Sequence, residues 1–125
     1  MLKYLSLSDL LIQNFREMKI KYDEYAARTG FEYGAELAHC FYSCQFAPFI
    51  IKQLDEGNMP MLKKIFAFIE HLHVNGDEDV ENVAWVSVCE PVYFRCDYDK
   101  HRSIIMMLSG EKTKECFIEM ENFVP

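Results

Sequence analysis

Asn58-Met59-Pro60-Met61-Leu62-Lys63-Lys64-Ile65-Phe66-Ala67-Phe68-Ile69-Glu70-His71-Leu72-His73-Val74-Asn75-Gly76 is the stretch from which the fold is read. Leu62, Ile65, Phe66, Ile69 and Leu72 recur at three- and four-residue steps, which makes one apolar face of a helix. Asn58 is placed to cap it. Pro60 falls in the first turn, where a missing N–H costs nothing, and Asn75-Gly76 stops it. The spacing predicts a helix over 59–74.

The same punctuation extends outward. Gly30, Gly34, Gly57, Gly76 and Gly110 all lie between apolar-periodic stretches, where helix ends are expected. Upstream, Leu11, Phe15, Met18, Tyr22 and Tyr25 form a stripe over 8–29, with Ser8 as N-cap and Asp9 in the first turn. Residues 35–56 contain Pro48, which predicts two helices, or one with a sharp kink near residues 44–47. Downstream, Asp77, Glu78, Asp79 and Glu81 crowd what reads as a first helical turn. The run Val83-Ala84-Trp85-Val86-Ser87-Val88-Cys89 fits a buried strand or a buried helix, and the acidic start favours the helix. Pro91 is expected to end it near Cys89. Residues 92–100 read as a loop with three aromatics. A short helix follows with Ile104, Ile105 and Leu108 inward. A last one starts near Glu111, with Cys116, Phe117, Met120 and Phe123 on one side. The expected fold is all-α: a single domain over 1–125 of about six packed helices, with stacked pairs like a short helical solenoid as one arrangement.

Composition narrows the function classes. The 125 residues carry a net charge of −7, and residues 31–90 account for all of it, the two ends cancelling. Nucleic acid is disfavoured as a partner, because phosphate contacts need clustered Lys and Arg. The longest uncharged stretch, 37–51, is too short and too polar to span a bilayer, so no membrane partner is expected. With no secretion signal visible, the cytoplasm is the expected compartment. The five cysteines, Cys40, Cys44, Cys89, Cys96 and Cys116, are then expected to be reduced and mostly buried.

Local motifs offer no positive case for an enzyme. Cys40 and Cys44 share a helix face, and His39, His71 or His73 could complete a metal set. No CxxC pair or HExxH accompanies them, so no metal or cofactor is expected. Ser109-Gly110-Glu111-Lys112-Thr113 lacks the spacing of a phosphate loop and reads as a turn with a helix cap. The charge map points elsewhere. Asp77, Glu78, Asp79 and Glu81 are candidates for a patch that steers a basic partner. Tyr93 and Tyr98, with Asp97 and Asp99, are candidate anchors beside it. The alternative for the tyrosines is ordinary packing of half-buried aromatics, and for the acids, solvated helix ends.

The segments 62–70, 76–83 and 86–90 resemble a family of small bacterial all-helical domains. Its pattern is a helix ending in Phe-x-Phe-x-Glu, an acidic turn, a Val-x-Asn-Val step and a Val-Ser-Val-x-Glu segment. Met107-Leu108-Ser109-Gly110-Glu111-Lys112-Thr113 is similar to that family's Leu-Gly-Pro-Lys-Thr turn, with Ser-Gly-Glu replacing Gly-Pro. Domains of this kind look like immunity proteins of bacterial toxin systems, including contact-dependent growth inhibition. The resemblance implies an all-α protein that binds and blocks a toxin domain made by the same cell, often a nuclease such as an RNase. It also implies a helical 83–89 and a partly buried Glu90. It covers under half the chain and brings no contact residues with it. The resulting expectation is a non-enzymatic inhibitor of a basic cognate toxin domain, acting by stoichiometric contact. The alternative is a general helical interaction or regulatory domain with no toxin partner.

Overall fold

The computed structural model describes residues 1–123. Among them the chain forms seven helices and no strand: α1 (Leu7–Asn14), α2 (Arg16–Thr29), α3 (38–56), α4 (Met59–Asn75), α5 (78–95), α6 (Tyr98–Leu108) and α7 (Glu111–Phe123). Short 3₁₀ turns at Tyr4–Ser6 and Ala35–Leu37 lead into α1 and α3. Gly57 closes α3 in the left-handed conformation, with φ 66°, which a side chain would strain. α4 is the helix read first from the sequence, and it ends where its caps place it. The Asn58 side chain accepts from the Met61 N–H at 3.4 Å.

α4 lies at the centre and packs against α3, α5, α6 and α7. Leu62, Ile65, Phe66 and Leu72 are fully buried there, together with Leu7, Leu11, Phe41, Phe46 and Ile50 from the N-terminal half. Tyr42 is fully buried, and its hydroxyl donates to the Leu7 carbonyl at 2.8 Å, so its one polar side-chain atom is paired. The start of the chain is tied to the middle. The Leu2 N–H donates to the Asn75 carbonyl at 2.7 Å, and the Leu2 carbonyl accepts from the Asp77 N–H at 3.1 Å.

Several expectations are corrected. The 8–29 block is two helices, broken at Phe15, whose backbone is extended (φ −133°, ψ 107°). The break turns the Phe15 ring into an aromatic cluster, with centroids 5.2 Å from Phe46 and 5.3 Å from Phe68. Ser8 is not the N-cap. It lies inside α1, buried.

Both internal prolines are accommodated without breaking a helix. Tyr42–Phe46 in α3 and Val83–Cys89 in α5 are π-helical. In a π turn the N–H bonds to the carbonyl five residues back instead of four. Each stretch ends just before a proline, and Pro48 and Pro91 enter in the first turn of the α-helix that resumes. There the missing N–H and the ring are tolerated. The kink expected near residues 44–47 is therefore a π stretch in one continuous helix. The 83–89 run is helical, and α5 continues through Pro91 to Arg95. The loop expected over 92–100 shrinks to Cys96 and Asp97. In α7, Cys116, Phe117 and Met120 are buried, but Phe123 is 81% exposed. All five cysteines are free. Cys89 and Cys116 are buried, but Cys40 and Cys44 are exposed, contrary to a mostly buried set. Among the described residues, no helix is long and apolar enough to cross a membrane.

Candidate functional site

α5 separates the eight candidate residues into two groups. Asp77, Glu78, Asp79 and Glu81 stand at its N-terminus. Asp77 is the N-cap: its carboxylate accepts from the Val80 N–H at 3.0 Å and pairs with Lys3 at 3.6 Å. Glu78, Asp79 and Glu81 are exposed. Tyr93, Asp97, Tyr98 and Asp99 gather at the other end, about 25 Å away at the helical rise of 1.5 Å per residue.

The second group is largely committed to the fold. Tyr98 lies 4.4 Å from Tyr93 and stacks on Phe117 at 6.0 Å, ring to ring. Its hydroxyl donates to Glu121 at 2.5 Å, and Arg102 donates to the same carboxylate from Nε and Nη2 at 3.0 and 3.1 Å. Burial, reinforced by Glu121, pushes the Tyr98 hydroxyl well above its ordinary value. Asp97 caps α6 through the Lys100 N–H at 3.4 Å. Burial beside Asp55 and Asp97 pushes the Cys96 thiol up to about 11. Only Asp99 in this group is exposed without a side-chain role in the fold described above.

The first group joins a residue that charge reading passed over. Glu78, Asp79, Glu81 and Asn82 line a cleft of about 370 Å³ whose remaining wall is Trp85. Trp85 also lines a second cleft of about 410 Å³, with Glu90, Phe94, Glu119, Met120 and Phe123. Phe94 is 63% exposed there, and the neighbouring Val86 43%. An acidic cleft and an apolar cleft thus adjoin across one tryptophan, along the outer face of α5. Glu90 is half-buried, as the resemblance implies. Trp85 was hidden in the 83–89 run because an apolar run gives no sign of which members face outward.

The residues that carried the resemblance serve the fold. Glu70, the end of Phe-x-Phe-x-Glu, accepts from the N–H groups of Lys112 and Thr113 at 3.1 and 2.9 Å, and from the Thr113 hydroxyl at 2.8 Å. One carboxylate therefore caps α7 across 42 residues of chain. Burial alone would push it up, but these three donors outweigh that and hold it below the ordinary value. A Cβ at Gly110 would sit 2.3 Å from Glu70 Cγ and Cδ, so any side chain there has to displace that carboxylate. The 109–113 segment is the turn and helix cap its residues suggest.

The metal set considered around Cys40 and Cys44 is not assembled. Those thiols are exposed, and His39 Nδ1 shares a 2.5 Å hydrogen bond with Ser87 Oγ. That bond ties α3 to the π stretch of α5, and Ser87 is 4% exposed, out of reach of a substrate. A second histidine, His101 on α6, is buried with Nε2 2.9 Å from Asp55. The group that does come together is His73, Cys89 and Cys116, all buried.

A family model described as "Domain of unknown function (DUF7674)" matches residues 8–124, and the chain belongs to that family. No curated protein and no solved structure matches it.

Proposed function

We propose that this DUF7674 chain is a stoichiometric inhibitor of the immunity type, which blocks a basic toxin domain made by the same cell. The observation that carries the reading is the pair of clefts sharing Trp85, acidic on one side and apolar on the other. Carboxylates at Glu78, Asp79 and Glu81 steer a basic partner toward the surface and set its register. Trp85 and Phe94 supply the desolvated aromatic area on which binding energy concentrates. A nuclease toxin, whose own groove is basic, fits such a surface. The resemblance over 59–90 and 106–120 supports the same direction. Tyr93 and Tyr98 contribute by holding α5 and α6 rather than by direct contact.

The test is co-expression with the toxin domain encoded beside the gene, followed by titration of the purified pair. Growth is expected to be restored. Trp85→Ala should weaken binding at least 30-fold, the effect of losing about 2 kcal/mol at a hot spot. Asp79→Lys with Glu81→Lys should slow association most strongly at low salt. Continued killing in the presence of soluble protein would sink the proposal. The second reading, an interaction domain with no toxin partner, is favoured by one fact: the Glu70 cap explains much of the matched motif as fold alone. A neighbouring gene that encodes no large secreted protein would select it.

A further inference from the structure

We propose that His73, Cys89 and Cys116 form a buried site for a closed-shell, thiophilic metal ion, zinc or monovalent copper. Each ligand comes from a different helix: α4, the π stretch of α5, and α7. Their ligand atoms all lie within 4.8 Å of one another, and His73 Nε2 is 3.9 Å from Cys116 Sγ. Metal–sulfur bonds of about 2.3 Å and metal–nitrogen bonds of about 2.0 Å place such atoms roughly 3.5–4 Å apart in a tetrahedral or trigonal shell. His73 and Cys116 already stand at that spacing, and the remaining separations need a contraction of no more than about an ångström to close on an ion.

The donor set selects the chemistry. Two thiols and an imidazole are soft to borderline ligands, which suit zinc and monovalent copper and disfavour magnesium and calcium. Zinc displaces two thiol protons and leaves a neutral cluster with the imidazole, with no change of oxidation state. Zinc takes a water as its fourth ligand, whereas monovalent copper closes with the three ligands alone, displacing the same two protons and leaving one negative charge. Glu70, one turn before His73, has both oxygens committed to α7 and fixes the register that brings Cys116 opposite His73.

The experiment uses the full untagged chain, reduced and free of metal. It is titrated anaerobically with zinc and, separately, with monovalent copper, each against a competing chelator. Metal analysis and native mass spectrometry read the stoichiometry. One ion per chain is expected, with affinity reduced at least 100-fold in Cys116→Ala and in His73→Gln. The Cys40→Ser, Cys44→Ser double variant should bind like the wild type. Circular dichroism shows which variants remain folded, and cobalt as a zinc probe gives a thiolate charge-transfer band that must vanish in Cys89→Ser. The chelator that wins each competition assigns the ion. Failure of the folded wild type to retain either ion would overturn the site. So would retention that survives Cys116→Ala.

Discussion

Replacing Glu70 by Ala removes three hydrogen bonds in one step, and the structure sets the size of the loss. The Thr113 hydroxyl is fully buried and loses its acceptor, a penalty of about 1–2 kcal/mol for an unsatisfied buried group. Two N–H groups in the first turn of α7 lose a charged cap, about 1 kcal/mol, with roughly 0.5 kcal/mol more from the helix dipole. The total is about 3 kcal/mol. Unfolding entropy of about 2.1 cal/mol/K per residue gives roughly 0.26 kcal/mol/K for this chain, so the midpoint should fall by about 11 °C. Thermal unfolding followed by far-UV circular dichroism measures it. Glu70→Gln keeps an acceptor and should lose about half as much. Adding Thr113→Val to Glu70→Ala removes the orphaned hydroxyl and should restore about 1 kcal/mol. Exposed Glu115 on the same helix is the control, with Glu115→Ala expected within about 0.5 kcal/mol of the wild type. If Glu70→Ala behaves like that control, the carboxylate is not the cap of α7.

Two further outcomes follow from the same junction. Gly110→Ala should cost about 2 kcal/mol, because the new methyl meets a Glu70 side chain that three hydrogen bonds hold in place. In the Glu70→Ala background the same change should cost under about 0.5 kcal/mol, and equal costs in both backgrounds would refute the contact. The pH dependence has a definite sign. Glu70 and Glu121 are both held below the ordinary value of about 4.5 in the folded chain. Their stabilisation is complete above that value and is lost as pH falls through the folded one. The gap in urea midpoint between wild type and Glu70→Gln should therefore be widest near neutrality and close in acid. A gap that widens in acid would contradict the assignment.

Much of the helical plan was legible because its signals are local. Asn58, Pro60 and Gly76 bound α4, and Asp77 with its acidic neighbours opens α5. The errors share a cause. Pro91 reads as a stop only if the turn before it is α-helical, and a π turn leaves no compositional mark. A stop at Pro91 implies a loop over 92–100, where the helix in fact runs on to Arg95. Phe15 lies on the apolar stripe in either conformation, so its break is decided by the Phe46 and Phe68 rings, which are remote in sequence. Of the candidate surface, the acidic turn was readable from charge. Trp85 was not, because its exposure depends on how α7 packs. His73, Cys89 and Cys116 stand far apart in the chain and belong to no local motif, so only the packing of three helices joins them.

The two π stretches carry a consequence for how sequences of this fold can vary in length. Each holds an extra residue inside a helix, and the two lie against each other, with His39 bonded to Ser87 beside them. Deleting one residue from 83–89 lets the stretch close to an α-helix while the residues beyond it keep their faces, because the wider turn is what absorbs the extra residue. Pro91 and Val92 stay buried and Phe94 stays outward, but the Pro91 ring then meets the carbonyl four residues back, the clash that the π stretch avoids. Loops ordinarily absorb insertions and deletions. Here a one-residue change in length can also be absorbed in mid-helix, and the proline that follows each stretch sets its cost.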